Sequence, residues 1–185
     1  MRRFVGLLAG ALLIAAGCGT THTTLRGQTS SSSQAGVRVQ DTAYRYSVPV
    51  PAGWTASGYD GLPSDRTADL VMVPPTAVNE DIMVIVCKVG AKCPDPNEAS
   101  GFHLVSKTAV SGALKLGSTP ASGYTDIWST PADTSLWRQP HTVVTHDGYV
   151  YDVSVDLPMG VTAPPPAYTT VVQGWRWLSV SEVTG

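Results

Sequence analysis

The sequence is poor in charge and in cysteine, and it lacks any catalytic signature. Its 185 residues carry 12 Lys and Arg against 14 Asp and Glu, scattered without a basic run. Phosphate recognition needs clustered Lys and Arg, so nucleic acid is excluded as a natural partner. There is no G-x-G-x-x-G and no Walker loop, which leaves nucleotide binding unsupported. There is no G-x-S-x-G elbow and no S-x-x-K, the two short signatures of a serine nucleophile. No cofactor is implied. Nothing after Ala16 approaches the roughly 20 apolar residues that a membrane-spanning helix needs.

What is present begins at the first residue. Met1-Arg2-Arg3 is basic, Phe4 to Ala16 is free of charge, and Ala15-Ala16-Gly17-Cys18 closes the run. A basic start, a short apolar core and a small-residue site make a secretory signal. Residues 1–17 are therefore expected to be a leader, with the rest of the chain outside the cytoplasmic membrane. The closing four residues resemble the lipobox of bacterial lipoproteins, with Ala15 where leucine is usual. That resemblance implies a diacylated Cys18 as the first residue of the mature chain. Two acyl chains, at about 0.8 kcal/mol per buried CH2, anchor a protein stably to a membrane. The Ser- and Thr-rich stretch that follows has Leu25 as its one sizeable aliphatic residue. Such a segment cannot offset its ordering entropy by burial. Residues 18–36 read as the lipidated cysteine and a flexible tether with a reach of about 20–25 Å.

Residues 37–185 have the length of one globular domain able to bury a core without staples. Without Arg2 and Arg3 the balance is 10 basic against 14 acidic, a net charge of 10 − 14 = −4. Cys87 and Cys93 remain once Cys18 is set aside. An even pair in an oxidising compartment reads as a disulfide. Closing so short a loop contributes about 2 kcal/mol, and its role would be to pin a strand end to the next turn. The alternative, a metal site, has no nearby histidine in the sequence and no C-x-x-C spacing. No metal is expected.

Strands dominate the pattern. Tyr44 to Val50 alternates, with Pro49 and Pro51 marking an edge strand or its end. Pro51-Ala52-Gly53 turns the chain and delivers Trp54 to the core. Asp69–Val73 and Ile82–Cys87 follow, the second apolar throughout and so expected to be covered on both faces. Between Asp95 and Leu116 the pattern is ambiguous. Asn97 to Ser100 could open a short helix that turns Val105 and Ala109 inward, although Gly101 and Gly112 interrupt it. Tyr124–Ser129 and Leu136–His146 are strands. Asp147-Gly148 is a strong hairpin turn into Tyr149–Asp156, where Tyr149, Tyr151, Val153 and Val155 share one face. Last comes a helix capped by Thr162. Its stripe is Tyr168, Val171, Val172, Trp175 and Leu178 at helical period. Strands followed by a covering helix give an α+β layer fold.

Tyr46-Ser47-Val48-Pro49-Val50-Pro51-Ala52-Gly53-Trp54 resembles the opening of PsbP-like domains, including the LpqN-type lipoproteins of actinobacteria. The closing hairpin at Asp147-Gly148-Tyr149 and the terminal Gly174-Trp175-Arg176-Trp177 are similar too. The resemblance covers residues 40–182 by order of elements, with the Cys87–Cys93 insert as a departure. It implies a curved antiparallel sheet covered by a C-terminal helix, and binding or scaffolding in a cell envelope with no shared chemistry. Fold alone does not give function.

Four histidines and five tryptophans remain. His22 lies in the tether. His141 and His146 are an odd number of residues apart on one strand and so face opposite ways, which is poor for joint metal binding. A Ser–His–Asp set can be assembled from distant residues, and Asp126, Asp147 and Asp152 are its candidate carboxylates, although each reads as a turn or strand-edge acid. Trp54 and Trp175 fit a core. Trp128, Trp137 and Trp177 either pack inside or line a concave face that grips a lipid, glycan or peptide. The expectation is a non-catalytic envelope lipoprotein that binds a ligand or a protein partner, held to the membrane at Cys18. The alternatives are a hydrolase acting on envelope polymers and a purely structural subunit of a membrane complex.

Overall fold

β-Branched residues favour extended backbone because one rotamer fits a pleated, half-buried surface. Ile82-Met83-Val84-Ile85-Val86 does so here at the centre of a sheet. The computed structural model describes residues 37–58, 69–76, 80–91, 96–132 and 134–184. The segments expected to be a leader (residues 1–17) and a lipidated tether (residues 18–36), and Cys93, lie outside the described residues. In chain order the strands are β1 (Arg38–Asp41), β2 (Tyr46–Pro49), β3 (Thr55–Gly58), β4 (Leu70–Val73) and β5 (Ile82–Lys88). After the short α1 (Pro96–Ala99) come β6 (His103–Ala109), β7 (Leu114–Leu116), β8 (Thr119–Ser129) and β9 (Leu136–His146). The last are β10 (Tyr149–Val155), β11 (Leu157–Pro158), α2 (Pro166–Gln173), β12 (Arg176–Trp177) and α3 (Val180–Thr184).

All the strand pairings are antiparallel. The large sheet runs β3-β4-β5-β10-β9-β8-β6, with β7 on β8 and β11 on β9. A second sheet, β1-β2-β12, is separate from it. Asp147 and Gly148 both have positive φ, 46° and 81°. That is the backbone of the two-residue hairpin whose twist matches its strands. It sets the β9–β10 register, Tyr149 opposite His146 and Ser154 opposite His141.

Period-two alternation then gives the large sheet two faces. The inner face presents Leu70, Met72, Ile82, Val84, Val144, Tyr151, Val153 and Val155, all in one buried cluster with Tyr46, Val48, Tyr168, Val171 and Trp175 from the small sheet and α2. The outer face carries Val71, Met83, Ile85, Asp126, Trp128, Gln139, His141 and Ser154, which are also buried. The expectation that Ile82–Cys87 is covered on both faces is met in Ile82 to Ile85.

α2 covers only part of the inner face. Its Tyr168 hydroxyl reaches Val153 O and Thr142 Oγ1, each at 2.9 Å. Arg38 clamps its C-terminus through a 2.7 Å bond to Gly174 O and a 2.9 Å bond to Ser47 O. A cation at that end also meets the negative pole of the helix. Two details of the expected helix are corrected. Thr162 does not cap it: Pro165 is the N-cap residue and gives no side-chain bond. The helix stops at Gly174, so Trp175 and Leu178 are buried from extended chain, not from a helical stripe. Arg176 and Trp177 pair with Ser47 and Tyr46, and Leu178 N donates to Arg45 O at 2.8 Å. Glycine is a poor helix former, and the free edge of β2 offers these residues complete backbone pairing. β2 is thus the middle strand of its sheet, and Pro49 ends it.

The ambiguous stretch is also resolved differently. α1 is one turn long, and Val105 lies in a strand, β6, where it is 56% exposed. Gly101 has a φ of 80° and breaks the helix before it can turn Val105 inward. Gly117 fills a tight place between layers. Its φ is 59°, and a Cβ there would stand 2.3 Å from the Trp175 carbonyl oxygen.

The inner-face tyrosines make stability sensitive to alkali. Burial pushes the Tyr151 hydroxyl up to about 12. Burial, followed by the Asp69 and Asp41 charges, pushes Tyr46 well above its usual value, and burial raises Tyr168 too. Groups whose folded pKa is raised contribute stability that is complete below the unfolded value near 10 and is lost as pH rises through the folded values. The urea midpoint is therefore expected to hold flat to pH 9 and to fall steeply from pH 10 to 12. Tyr46 and Tyr168 together supply a slope of up to about 3 kcal/mol per pH unit. A urea midpoint that stays level through this range would contradict the account.

Candidate functional site

The outer face of the large sheet holds a polar network assembled by register. Tyr124 stands opposite His141, and Asp126 opposite Gln139, across β8 and β9. Ser154 of β10 is opposite His141, and Lys107 of β6 is opposite Asp126. The face alternation of four neighbouring strands, β6, β8, β9 and β10, thus brings a histidine, a lysine and three carboxylates close together.

His141 is at the centre, 3% exposed. Its Nδ1 lies 2.9 and 3.0 Å from the two oxygens of Asp152. Its Nε2 lies 3.1 Å from Gln139 Oε1 and 3.8 Å from Asp126 Oδ2. The indole of Trp128 and the amide of Asn97 also donate to Gln139 Oε1, both at 3.0 Å. An indole N–H can only donate, so that atom is the amide oxygen and His141 Nε2 must donate to it. Gln139 Nε2 in turn donates to Asp156 Oδ1 at 3.1 Å.

A cover lies over this centre. The Tyr124 ring stacks on His141 with centroids 4.2 Å apart, and its hydroxyl donates to Asp152 Oδ2 at 2.6 Å. Lys107 Nζ sits 3.4 Å above the other side of that ring and 3.4 Å from Asp126 Oδ2. Burial pushes the Asp126 carboxyl above its ordinary range, against the pull of His141 and Lys107. Its Oδ1 and the Ser154 Oγ are buried without a hydrogen-bond partner.

Chemically the arrangement is a histidine held between carboxylates with both nitrogens engaged. The hydroxyl beside it, Tyr124, is committed to Asp152. Among the described residues no group of three or more His, Cys, Asp and Glu is arranged to hold a metal. Asp147 is a turn residue, as expected, but Asp126 and Asp152 are mid-strand. The network as a whole escaped the sequence reading. Its signal was polar residues at period two within strands: Tyr124 and Asp126, Gln139 and His141, Asp152, Ser154 and Asp156.

Of the three tryptophans expected either in the core or on a ligand face, two share one face of the large sheet and the third lies on the other. Trp128 and Trp137 are cross-strand partners on the outer face. Trp128 is 1% exposed, and Trp137 packs edge-on against Phe102 at 4.8 Å. Trp177 is on the inner side, where His146 stacks on it at 4.0 Å and Tyr151 meets it edge-on at 4.8 Å. His141 and His146 are on opposite faces, as their spacing requires. His103 is exposed on β6. Cys87 is half-buried in β5, and its expected partner Cys93 lies outside the described residues. Among the described residues no helix is long and apolar enough to cross a membrane.

No family model matches the chain, and no curated protein does. Solved structures give likenesses at low identity. Cyanobacterial PsbP (CyanoP) of Synechocystis is 14% identical with a TM-score of 0.49, over 83% of this chain and 98% of that one. A protein of Bacteroides thetaiotaomicron is 12% identical with a TM-score of 0.47, over 76% of this chain, which spans about half (47%) of that one. LpqN of Mycobacterium tuberculosis, described as involved in cell envelope biogenesis, is 18% identical with a TM-score of 0.44, over 72% of this chain and 83% of that one. Each is what this sheet-dominated chain is similar to, and none fixes its family.

Proposed function

We propose that the chain is an exported lipoprotein, anchored through acylated Cys18, whose domain from residue 37 to 185 is a non-catalytic binding or scaffolding module of the cell envelope. The leader of residues 1–17 and the tether of residues 18–36 support the location. The state of His141 carries the rest. A general base needs a free nitrogen within reach of a nucleophile in an accessible cleft. His141 instead spends both nitrogens on Asp152 and Gln139 and lies buried under Tyr124. A hydrolase is the rival reading, favoured by the same convergence of His141, Asp126 and Asp152. It is opposed by burial and because, among the described residues, no hydroxyl is hydrogen-bonded to a His141 nitrogen. A Cys87–Cys93 disulfide belongs to the proposal, because the module would work in an oxidising compartment.

Intact mass spectrometry of the protein from its native membrane tests the reading. The expected mature chain begins at a diacylated Cys18 and does not react with maleimide until reduced. Cys18→Ser is expected to leave the leader uncleaved. An intact leader or an unmodified Cys18 thiol in the natural product would overturn the anchor.

A further inference from the structure

Every strand between the borders of the large sheet has neighbours on both sides, but among the described residues β6, at one border, pairs only with β8. Its seven side chains are all exposed, Leu104 and Val105 among them, with Val110 and Leu136 nearby at 40% and 47% exposure. The register breaks between Leu104 and Ser106 and is regular from Ser106 to Ala109.

The backbone phase of that regular part is fixed. Val110 N donates to Gly123 O at 2.9 Å, and the pairing from Ser106 to Ala109 continues the same register. In an antiparallel pair, hydrogen-bonded and non-hydrogen-bonded positions alternate. Thr108 and Ser106 therefore share the phase of Val110 and bond to β8. Lys107 and Ala109 direct their N–H and C=O groups away from the sheet. They are two adjacent docking points for an added strand.

The charges choose the occupant. The ionisable residues of β6 and of β7, which pair with successive stretches of β8, are His103, Lys107 and Lys115. All are basic and exposed. Pairing with a second copy through Lys107 and Ala109 would bring two Lys107 ammonium groups onto one face within a rung or two, and like charges so placed oppose pairing. An acidic strand meets the reverse situation. Lys107 is half exposed and already held over the Tyr124 ring and 3.4 Å from Asp126 Oδ2, and an ammonium has three hydrogens, so a second carboxylate can share it.

We infer that the outer edge of β6 receives an extended segment of another envelope protein, apolar with an acidic residue set against Lys107, by strand addition at the Lys107 and Ala109 backbone. This rests on the reading of the domain as a binding module and names the chemistry of its partner.

The test uses the full acylated chain in detergent and a synthetic peptide of about nine alternating Val and Thr residues with one central Glu, a typical strand length. Residue-level hydrogen exchange is the readout. Saturating peptide is expected to slow the Lys107 and Ala109 amides at least about tenfold and to leave Ser106 and Thr108 little changed, because those are already bonded. A peptide with Lys for Glu is expected to bind about tenfold more weakly. Ala109→Pro deletes an outward N–H without removing a bond to β8 and should abolish binding. If that variant folds poorly, protection of the two wild-type amides alone decides. No protection at millimolar peptide overturns the proposal, as do equal binding of both peptides and protection that rises with protein concentration alone, the mark of self-pairing. Failure here leaves the mass of the Cys18 terminus unaffected, so the two readings fall separately.

Discussion

Replacing His141 by alanine is expected to lower the free energy of unfolding at pH 7 by about 3 kcal/mol, because it leaves buried acceptors without their hydrogen-bond donor. The Asp152 oxygens would lose a partner at 2.9 and 3.0 Å, and Gln139 Oε1 one at 3.1 Å. Burial already raises the Asp126 carboxyl, and His141 opposes that rise, so its removal leaves Asp126 harder to ionise. Asp126→Asn in the His141→Ala background should restore part of the loss, and a double-mutant cycle would give a coupling of about 0.5–3 kcal/mol. Denaturant melts of the variants check this. A deficit below about 1 kcal/mol would show that the network does not hold the outer face together.

Trp175→Ala is expected to cost about 3–5 kcal/mol through the cavity it leaves. Trp175 is 3% exposed and lies between the sheets. Its ring is stacked on Tyr46 with centroids 4.6 Å apart and meets Tyr151 and Trp177 edge-on at 5.9 and 5.4 Å. At roughly 2–4 °C per kcal/mol for a chain of this size, the melting temperature should fall by about 6–20 °C. Trp175→Phe should recover more than half of that. The indole Nε1 is buried with no partner, so phenylalanine removes an unsatisfied donor and loses only volume. Circular dichroism melts of the three proteins decide, and a phenylalanine variant as unstable as the alanine one would contradict the packing account.

Both predictions concern residues whose importance was unevenly visible in the sequence. Trp175 was expected to be inward and is, but on the argument of a helical stripe that ends two residues after Val172. Tyr149, Tyr151, Val153 and Val155 were legible because a strand beside an Asp-Gly turn has one plausible register. His141 was read as one of several unconnected imidazoles. Its partners sit at Asp126, Gln139 and Asp152, on three strands, and only hydrogen-bonded register says which of them face each other. Val105 was misplaced because its segment was weighed for helix periodicity, whereas pairing with β8 and the Gly101 break made it a strand.

The residues by themselves determined the local matters: which segments are extended, where Asp147-Gly148 turns the chain, and that Trp54 is delivered to the core. These depend on side chains close together in the chain, where propensity and period act directly. The tertiary structure alone decided that the C-terminal segment abandons its helix to complete the β1-β2-β12 sheet, that polar side chains dispersed over four strands form one network around buried His141, and that β6 is left as an outer edge of the large sheet. Those outcomes depend on which strands become neighbours. Pairing is fixed by burial and backbone hydrogen bonding over the whole molecule, and no single stretch of sequence carries that information.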